Sequence, residues 1–460
     1  MSVGCRLEGS AQPGVASFEN GSGSAIRSRR IHPRLPVFRV ERQGGCHLYT
    51  PGTAVRLDPA LADRVEEDFS SGSTESVRDQ PRIRSLIGNA ARVQREWTEL
   101  QETPFAAESL TIIPTGRCSF RCSYCFTRGH REIPAPRWGE DEILAIVEPI
   151  LMSCLDRRKT FTLAVHGGGE PTEACQCLET ILPAIRRRAL QLGVPTTRYL
   201  ATNGRMPETL AAWVAREFTL VGLSCDGPPD IQDRQRPLAY GGGRTSQDVI
   251  RFARLMHDRG ARLQARATIT PWSMTRQVEI ARFLADELRI GEIRLEPVYG
   301  AGSAAFRPED APTYAWHFLA ARDWAARRGV SLSQSGLRPH ELHGPFCEAL
   351  RNTIRLTPEG EIANCFYDDE GKNRLLGRLD PTTKALEPKR IQGLRSSALR
   401  IPEECHNCFC SLHCSKGCPD VCRVESESPR GTFRCRLNQE LGWDLIRRNG
   451  PDGESCDAKG

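Results

Sequence analysis

The residues with the greatest capacity for chemistry sit in one short stretch, Cys118-Ser-Phe-Arg-Cys122-Ser-Tyr124-Cys125, with three thiols at C-x3-C-x2-C. An iron–sulfur cube ordinarily takes four thiolates. Three from a single loop leave one iron without a protein ligand, open to a small chelate, just as a catalytic zinc site keeps a position open that a structural site closes. The ring of Tyr124 is then available to pack beside whatever binds. A structural zinc knot is the alternative reading, with His130 as its fourth ligand, although such knots usually pair one C-x2-C with another. Further along stand Cys347, Cys365, Cys405, Cys408, Cys414, Cys418 and Cys435, spaced C-x12-G-x4-C, then C-x2-C-x5-C-x3-C, then a last Cys. Few apolar residues separate them, so metal ligation has to supply the stability that a large core cannot. A pair of zinc sites would leave the step from Cys414 to Cys418 unusually spaced.

Composition narrows the class. The chain has 460 residues, a net charge of +6 and 19 cysteines. The length allows two or three domains, and so mild a charge argues for neither nucleic acid nor a membrane surface as partner. Residues 1–30 have no apolar secretory core, and no run reaches the ~18–20 apolar residues of a membrane span. Many thiols without a secretory signal suggest a cytoplasmic protein that uses cysteine for metal or redox work.

The elements that must position these thiols are read from hydrophobic periodicity. Residues 1–34 are Gly/Ser-rich and are expected to be a disordered tail. Residues 35–108 predict a small α+β module: Val37–Val40 and Cys46–Tyr49 alternate about Gln43-Gly44-Gly45 as a hairpin, and Leu57–Phe69 and Ile83–Leu100 have helical spacing. The module reads as a packing cap on the larger domain after it; it is also similar to the short β-plus-helix modules that precede the core in several peptide-modifying enzymes, where they can bind a precursor peptide. Over 109–330, six apolar strands (Leu110–Pro114, Phe161–His166, Thr197–Thr202, Leu220–Cys225, Leu263–Thr270 and Ile293–Val298) alternate with amphipathic helices. Ser246-Gln-Asp marks a helix N-cap and Gly260 a C-cap. Such alternation predicts an α/β fold with parallel strands, a partial (β/α)6 barrel whose sites gather at the C-terminal strand ends. Residues 331–445 form the cysteine-rich extension, and 446–460 a flexible tail. Cys5, Cys46, Cys154, Cys175 and Cys177 read as ordinary thiols.

The strand ends carry the informative motifs. The cysteine loop comes after strand one. Strand two ends in His166-Gly-Gly168-Gly169-Glu170-Pro171, strand three in Ala201-Thr-Asn203-Gly204, and strand four in Ser224-Cys-Asp226-Gly227-Pro, with Asp233-Arg-Gln-Arg236 beyond it. Strand five carries Arg266, and strand six Glu296-Pro297. The cysteine loop together with the G-G-E-P, T-N-G and S-x-D-G-P elements resembles the radical S-adenosylmethionine (SAM) superfamily, in its peptide-modifying and sulfatase-maturing branch. The seven later cysteines, with Leu376-Gly-Arg-Leu after the second, resemble its SPASM extension. The resemblance spans roughly residues 108–440.

That resemblance implies a 4Fe-4S cluster on Cys118, Cys122 and Cys125. S-adenosylmethionine would be held by Tyr124, Gly168, Gly169, Glu170, Pro171, Asn203, Ser224 and Arg266, and its reductive cleavage would give a 5′-deoxyadenosyl radical. Asp226 has either a ligand role or the common task of an Asp before Gly, fixing the turn. One or two auxiliary 4Fe-4S clusters are implied, the second on Cys405, Cys408, Cys414 and Cys435 and the first on Cys347, Cys365 and Cys418. No cysteine precedes Cys347 in His340-Glu-Leu-His343, so the first would be completed by Cys410, Cys422, His343, substrate or water. The expected substrate is a peptide or protein, modified by hydrogen abstraction, with flavodoxin or ferredoxin as electron donor. Sulfatase-maturing relatives carry an Asp directly after the second extension cysteine, whereas this chain has Phe366, with Asp368 and Asp369 out of register. Formylglycine formation is therefore the second reading. A small-molecule substrate and a non-catalytic iron–sulfur carrier are the others, the last opposed by an open iron that a carrier has no use for. No catalytic base is assigned.

Overall fold

The computed structural model describes residues 25–125, 136, 138–298, 305–339, 341–342, 351–363, 375–378, 388–414 and 430–448. It begins with a four-stranded antiparallel sheet in chain order, β1 (Arg27–Arg30), β2 (Phe38–Arg42), β3 (Gly45–Thr50) and β4 (Thr53–Leu57). The expected hairpin is β2–β3, and its turn holds Gln43 and Gly44 at φ +51° and +75°. Helices α1 (Pro59–Ser71), α2 (Glu75–Arg78) and α3 (Pro81–Glu102) cover this sheet, burying Val65, Phe69, Ile83 and Leu86 against Val37, Leu48 and Val55. The disordered tail expected to residue 34 ends too late, because Arg27–Arg30 pairs antiparallel with β2. Its strand is held by that ladder and by the Arg29–Glu66 ion pair at 2.6 Å, and neither leaves a trace in hydrophobic periodicity.

The second sheet contains all six expected strands, β5 (Ser109–Ile112), β6 (Phe161–Val165), β7 (Thr196–Thr202), β8 (Leu220–Ser224), β9 (Leu263–Ile269) and β10 (Glu292–Pro297), parallel and adjacent in chain order. Between them run α4 (Glu140–Asp156), α5 (Cys175–Leu192), α6 (Glu208–Glu217), α7 (Pro229–Gln235), α8 (Thr245–Asp258) and α9 (Gln277–Arg282). This is the sheet of a partial (β/α)6 barrel. Two short strands not read from the sequence extend it in parallel, β11 (Ser331–Ser333) on β10 and β12 (Thr353–Leu356) on β5, and β12 leads into the antiparallel β13 (Glu361–Ala363) and β14 (Leu375–Arg378). Parallel partners in register share a face. Leu110, Leu163, Val165, Leu200 and Val221 therefore lie together in the core under the helices. On the opposite face Arg355, Thr111, Ala164 and Tyr199 form one row, and Ser224, Arg266 and Arg294 another.

Ser246 does not cap α8 as expected. The helix starts at Thr245, and the Asp233 carboxylate, brought in from α7, accepts from Ser246 N at 2.8 Å and Ser246 Oγ at 3.0 Å. The chain then adds α10 (Ala311–Ala326), α11 (Pro388–Leu399) and α12 (Phe433–Arg448). The N-terminal sheet docks on the cysteine-rich segment. Tyr49 Oη bonds His413 Nε2 at 2.6 Å, Ser28 Oγ donates to Asn407 O at 2.8 Å, and Arg42 pairs with Glu440 at 2.7 Å. Among the described residues no helix is long and apolar enough to cross a membrane.

Candidate active site

The cysteine loop leaves β5 and is tied to the segment after α7. Arg121 N donates to Pro237 O at 2.7 Å, Ser123 N to Gln235 O at 2.9 Å and Ala239 N to Ser119 O at 2.9 Å, while Phe120 bridges Leu238. Backbone pairing of this kind fixes the directions in which alternate side chains leave the loop. Cys118 and Cys122 are half-buried and Cys125 is exposed. Burial pushes the Cys118 thiol up to about 12 and the Cys122 thiol up to about 11. Sulfurs so disposed become thiolates when a cationic centre takes them as ligands. Three soft donors on one loop fit an iron–sulfur cube with one open iron.

The turn after β6 lies directly against this loop. Gly169 N donates to Thr115 O at 2.8 Å and Glu170 N to Arg117 O at 2.8 Å. A Cβ on Gly169 would fall within 2.6 Å of the carbonyl carbons of Gly116 and Arg117, and Gly168 has φ +69°. Only glycine permits both the conformation and the approach. Glu170 is 3% exposed, and its carboxylate accepts from Thr172 Oγ1 and Thr202 Oγ1 at 2.8 Å and from Asn203 N at 2.7 Å. No cationic side chain among the described residues pairs with it, and burial raises its carboxyl above the usual range despite these donors. A buried acid surrounded by neutral donors is suited to a cationic group arriving from outside. Pro171 is buried and opens the turn into α5.

Asn203, at the end of β7, directs its amide nitrogen at Cys118 Sγ (3.8 Å) and Ser119 Oγ (3.4 Å), while its Oδ1 accepts from Arg205 N at 2.9 Å. Ser224 and Arg266 are in register across β8 and β9. Arg266 is half-buried. Burial, with Arg266 and Arg355 nearby, drives His166 down to about 3, so that imidazole is neutral.

Asp226 does more than fix a turn. It is wholly buried, and it accepts from Tyr124 Oη at 2.6 Å, Gln235 Nε2 at 2.7 Å and Thr268 N at 2.8 Å, with Arg236 Nε at 3.0 Å. Arg236 also lies over the Tyr124 ring, 5.4 Å from its centroid. One carboxylate therefore ties the cysteine loop to β8, β9 and α7, and one face of Tyr124 is already covered. The sequence marked Arg236 through Asp233-Arg-Gln-Arg236 but gave Gln235, inside that stretch, no role of its own.

In the second cysteine group, Cys405, Cys408, Cys414 and Cys435 are half-buried. Burial and the neighbouring sulfurs push the thiol of Cys435 up to about 12, and Cys405 is raised as well. Among the described residues no three His, Cys, Asp or Glu side chains close on a point as they would around one metal ion. Cys410 is buried beside this group, its sulfur against Asn438 O at 3.4 Å. Asn438 and Gln439, which motif reading passed over, are the third and fourth residues after Cys435 on α12, a spacing that puts them on its face. His130, His343, Cys347, Cys365, Phe366, Asp368, Asp369, Cys418 and Cys422 lie outside the described residues.

Residues 112–284 match the Radical SAM superfamily model. A cysteine-type anaerobic sulfatase-maturating enzyme of Clostridium perfringens strain 13 is 25% identical over 331 residues, 67% of this chain and 88% of the relative. Among solved structures, anSMEcpe with bound AdoMet superposes with a TM-score of 0.60 at 19% identity, over 74% of this chain and 98% of the other. Streptococcus suis SuiB bound to its precursor peptide SuiA superposes with a TM-score of 0.52 at 15% identity, over 85% and 95%. With the three-thiol loop and the glycine turn at the ends of its parallel strands, the chain carries a radical SAM domain over residues 112–284 and is an enzyme related to the sulfatase maturase, whose chemistry uses a 4Fe-4S cluster and S-adenosylmethionine.

Proposed function

We propose that this enzyme modifies a peptide or protein by hydrogen abstraction from an unactivated carbon, introducing a crosslink or an oxidation into a ribosomally made precursor. The observation that carries this reading is the pairing of a three-thiol loop with the buried carboxylate of Glu170, which meets no cationic side chain among the described residues, both at strand ends and hydrogen-bonded to one another's turns. In this reading Cys118, Cys122 and Cys125 hold the cluster. Glu170 and the backbone of Gly168–Pro171 take the methionyl ammonium, and Arg266 with Ser224 takes the carboxylate as a charge-assisted pair. Asn203 orients the loop through Cys118, and Tyr124 presents its uncovered face to the cofactor. When bound, cluster and cofactor supply a 5′-deoxyadenosyl radical able to remove a substrate hydrogen atom. The protein contributes position, holding the target C–H in reach at the mouth of the sheet.

Cys405, Cys408, Cys414 and Cys435 are assigned to one auxiliary cluster and Cys347, Cys365 and Cys418 to another. Two structural neighbours support a peptide substrate: SuiB was crystallised with its precursor peptide, and anSMEcpe with a Cys-containing peptide. A flavodoxin or ferredoxin is the proposed electron donor, and the cytoplasm the proposed compartment. Formylglycine formation in a sulfatase is the second reading, favoured by the Clostridium relative and opposed by Phe366.

Anaerobic reconstitution with iron and sulfide counting, then reductive cleavage of S-adenosylmethionine, tests the assignment. Cys118→Ala, Cys122→Ala and Cys125→Ala should abolish 5′-deoxyadenosine formation, whereas a Cys405→Ala/Cys408→Ala variant should impair product more than cleavage. Wild-type protein that yields no 5′-deoxyadenosine under a strong reductant overturns it. Mass change in a peptide encoded beside this gene, against a sulfatase-derived Cys peptide, separates the two readings.

A further inference from the structure

The sulfurs of Cys408, Cys414 and Cys435 are met by a set of donors that no cysteine motif requires. Asn438 Nδ2 lies 3.0 Å from Cys414 Sγ. Gln439 Nε2 lies 3.4 Å from Cys435 Sγ and 3.9 Å from Cys408 Sγ. Cys410, beside them, donates its thiol to Asn438 O at 3.4 Å instead. Both amide donors are buried, Asn438 at 3% and Gln439 at 6% exposure. Asn438 is held in place by a second bond to Gly336 O at 3.3 Å. Gly442 lets α12 approach Cys410 closely, because a Cβ there would meet Cys410 Sγ at 2.7 Å. Burying two amides costs free energy unless they find acceptors, and here cysteine sulfurs serve, joined for Asn438 by the backbone oxygen of Gly336. A donor aimed at a ligand sulfur withdraws negative charge from the cluster it binds, and so stabilises the reduced state.

We propose that Asn438 and Gln439 act as positioning residues that raise the reduction potential of the auxiliary cluster held by Cys405, Cys408, Cys414 and Cys435, poising it to accept an electron. The inference rests on the assignment of those four cysteines to a cluster. It adds a role for two residues that bind no iron themselves.

The test is an anaerobic redox titration of the full-length reconstituted enzyme, monitored by electron paramagnetic resonance and accompanied by iron and sulfide counts. Gln439→Met and Asn438→Leu each remove an N–H donor at similar volume. Each should keep the wild-type iron count, move the auxiliary midpoint to more negative potential, and leave the midpoint of the cluster on Cys118, Cys122 and Cys125 unchanged. The two amide variants combined should move it further than either alone. An unmoved auxiliary midpoint at full iron content overturns the proposal. So does loss of auxiliary iron in both variants, which would make the pair a folding element. Wild-type protein with iron for only one cube removes the cluster assignment itself, an outcome visible before any variant is made.

Discussion

Replacing Gly169 with alanine tests how closely the glycine turn and the cysteine loop are interlocked. The added Cβ would lie 2.6 Å from the carbonyl carbons of both Gly116 and Arg117, about 1 Å inside ordinary contact. Both obstacles are backbone, so no rotamer change relieves them, and the two strand-end segments must separate. Separation breaks Gly169 N→Thr115 O and Glu170 N→Arg117 O, at about 1 kcal/mol each. Overpacking adds about 1–3 kcal/mol, for a local cost of roughly 3–5 kcal/mol. At about 1.4 kcal/mol per factor of ten, the productive arrangement of Cys118 beside Glu170 should be depleted by roughly two to three and a half orders of magnitude. Gly193→Ala is the control. That glycine has φ +68° with nothing within 4 Å of the new Cβ, so it should lose only about 1–2 kcal/mol of left-handed strain. Thermal unfolding, the spectrum of the reduced cluster and the rate of 5′-deoxyadenosine formation should separate the two. Gly169→Ala should lose cleavage, and Gly193→Ala should lose only stability. A Gly169→Ala enzyme that cleaves S-adenosylmethionine at close to the wild-type rate would refute the reasoning.

Three further outcomes concern buried charge and the interface. Asp226→Asn leaves the Arg236 guanidinium buried without its counter-charge and should cost about 3–5 kcal/mol in chemical denaturation. The double variant with Arg236→Met should recover part of that loss, and additive losses would contradict the node. Glu170 has a folded-state pKa above its ordinary value of 4.5, so its contribution to stability is complete below that pH and is lost as pH rises through the elevated value. Without cofactor, wild-type melting temperature should therefore fall relative to Glu170→Gln as pH increases from 4.5, and S-adenosylmethionine, by bringing a cation, should narrow the difference; parallel curves would exclude the unpaired carboxylate. Tyr49→Phe removes the 2.6 Å bond to His413 Nε2 and should cost about 0.5–1.5 kcal/mol. Unchanged denaturation would show that the N-terminal sheet is not fastened to the cysteine-rich segment at this point.

What the sequence determined by itself was everything written in short-range pattern. The spacing of Cys118, Cys122 and Cys125 specified three ligands on one loop, because ligand count depends on neighbours a few residues apart. The six strands β5–β10 were legible from apolar runs bounded by turns, and strand–helix alternation implied their parallel order. The glycines before Glu170 marked a close approach without saying to what. Tertiary structure alone decided the partners. Asp226 meets Tyr124 across 102 residues, β12 joins β5 from the far end of the chain, Asp233 caps a helix it does not belong to, and Tyr49 reaches His413. Asn438 and Gln439 look like ordinary polar residues of a surface helix until α12 is folded against the cysteines. A side chain's role in these cases is set by which group packing delivers to it, and the loop that makes the delivery leaves no mark on either segment's local composition.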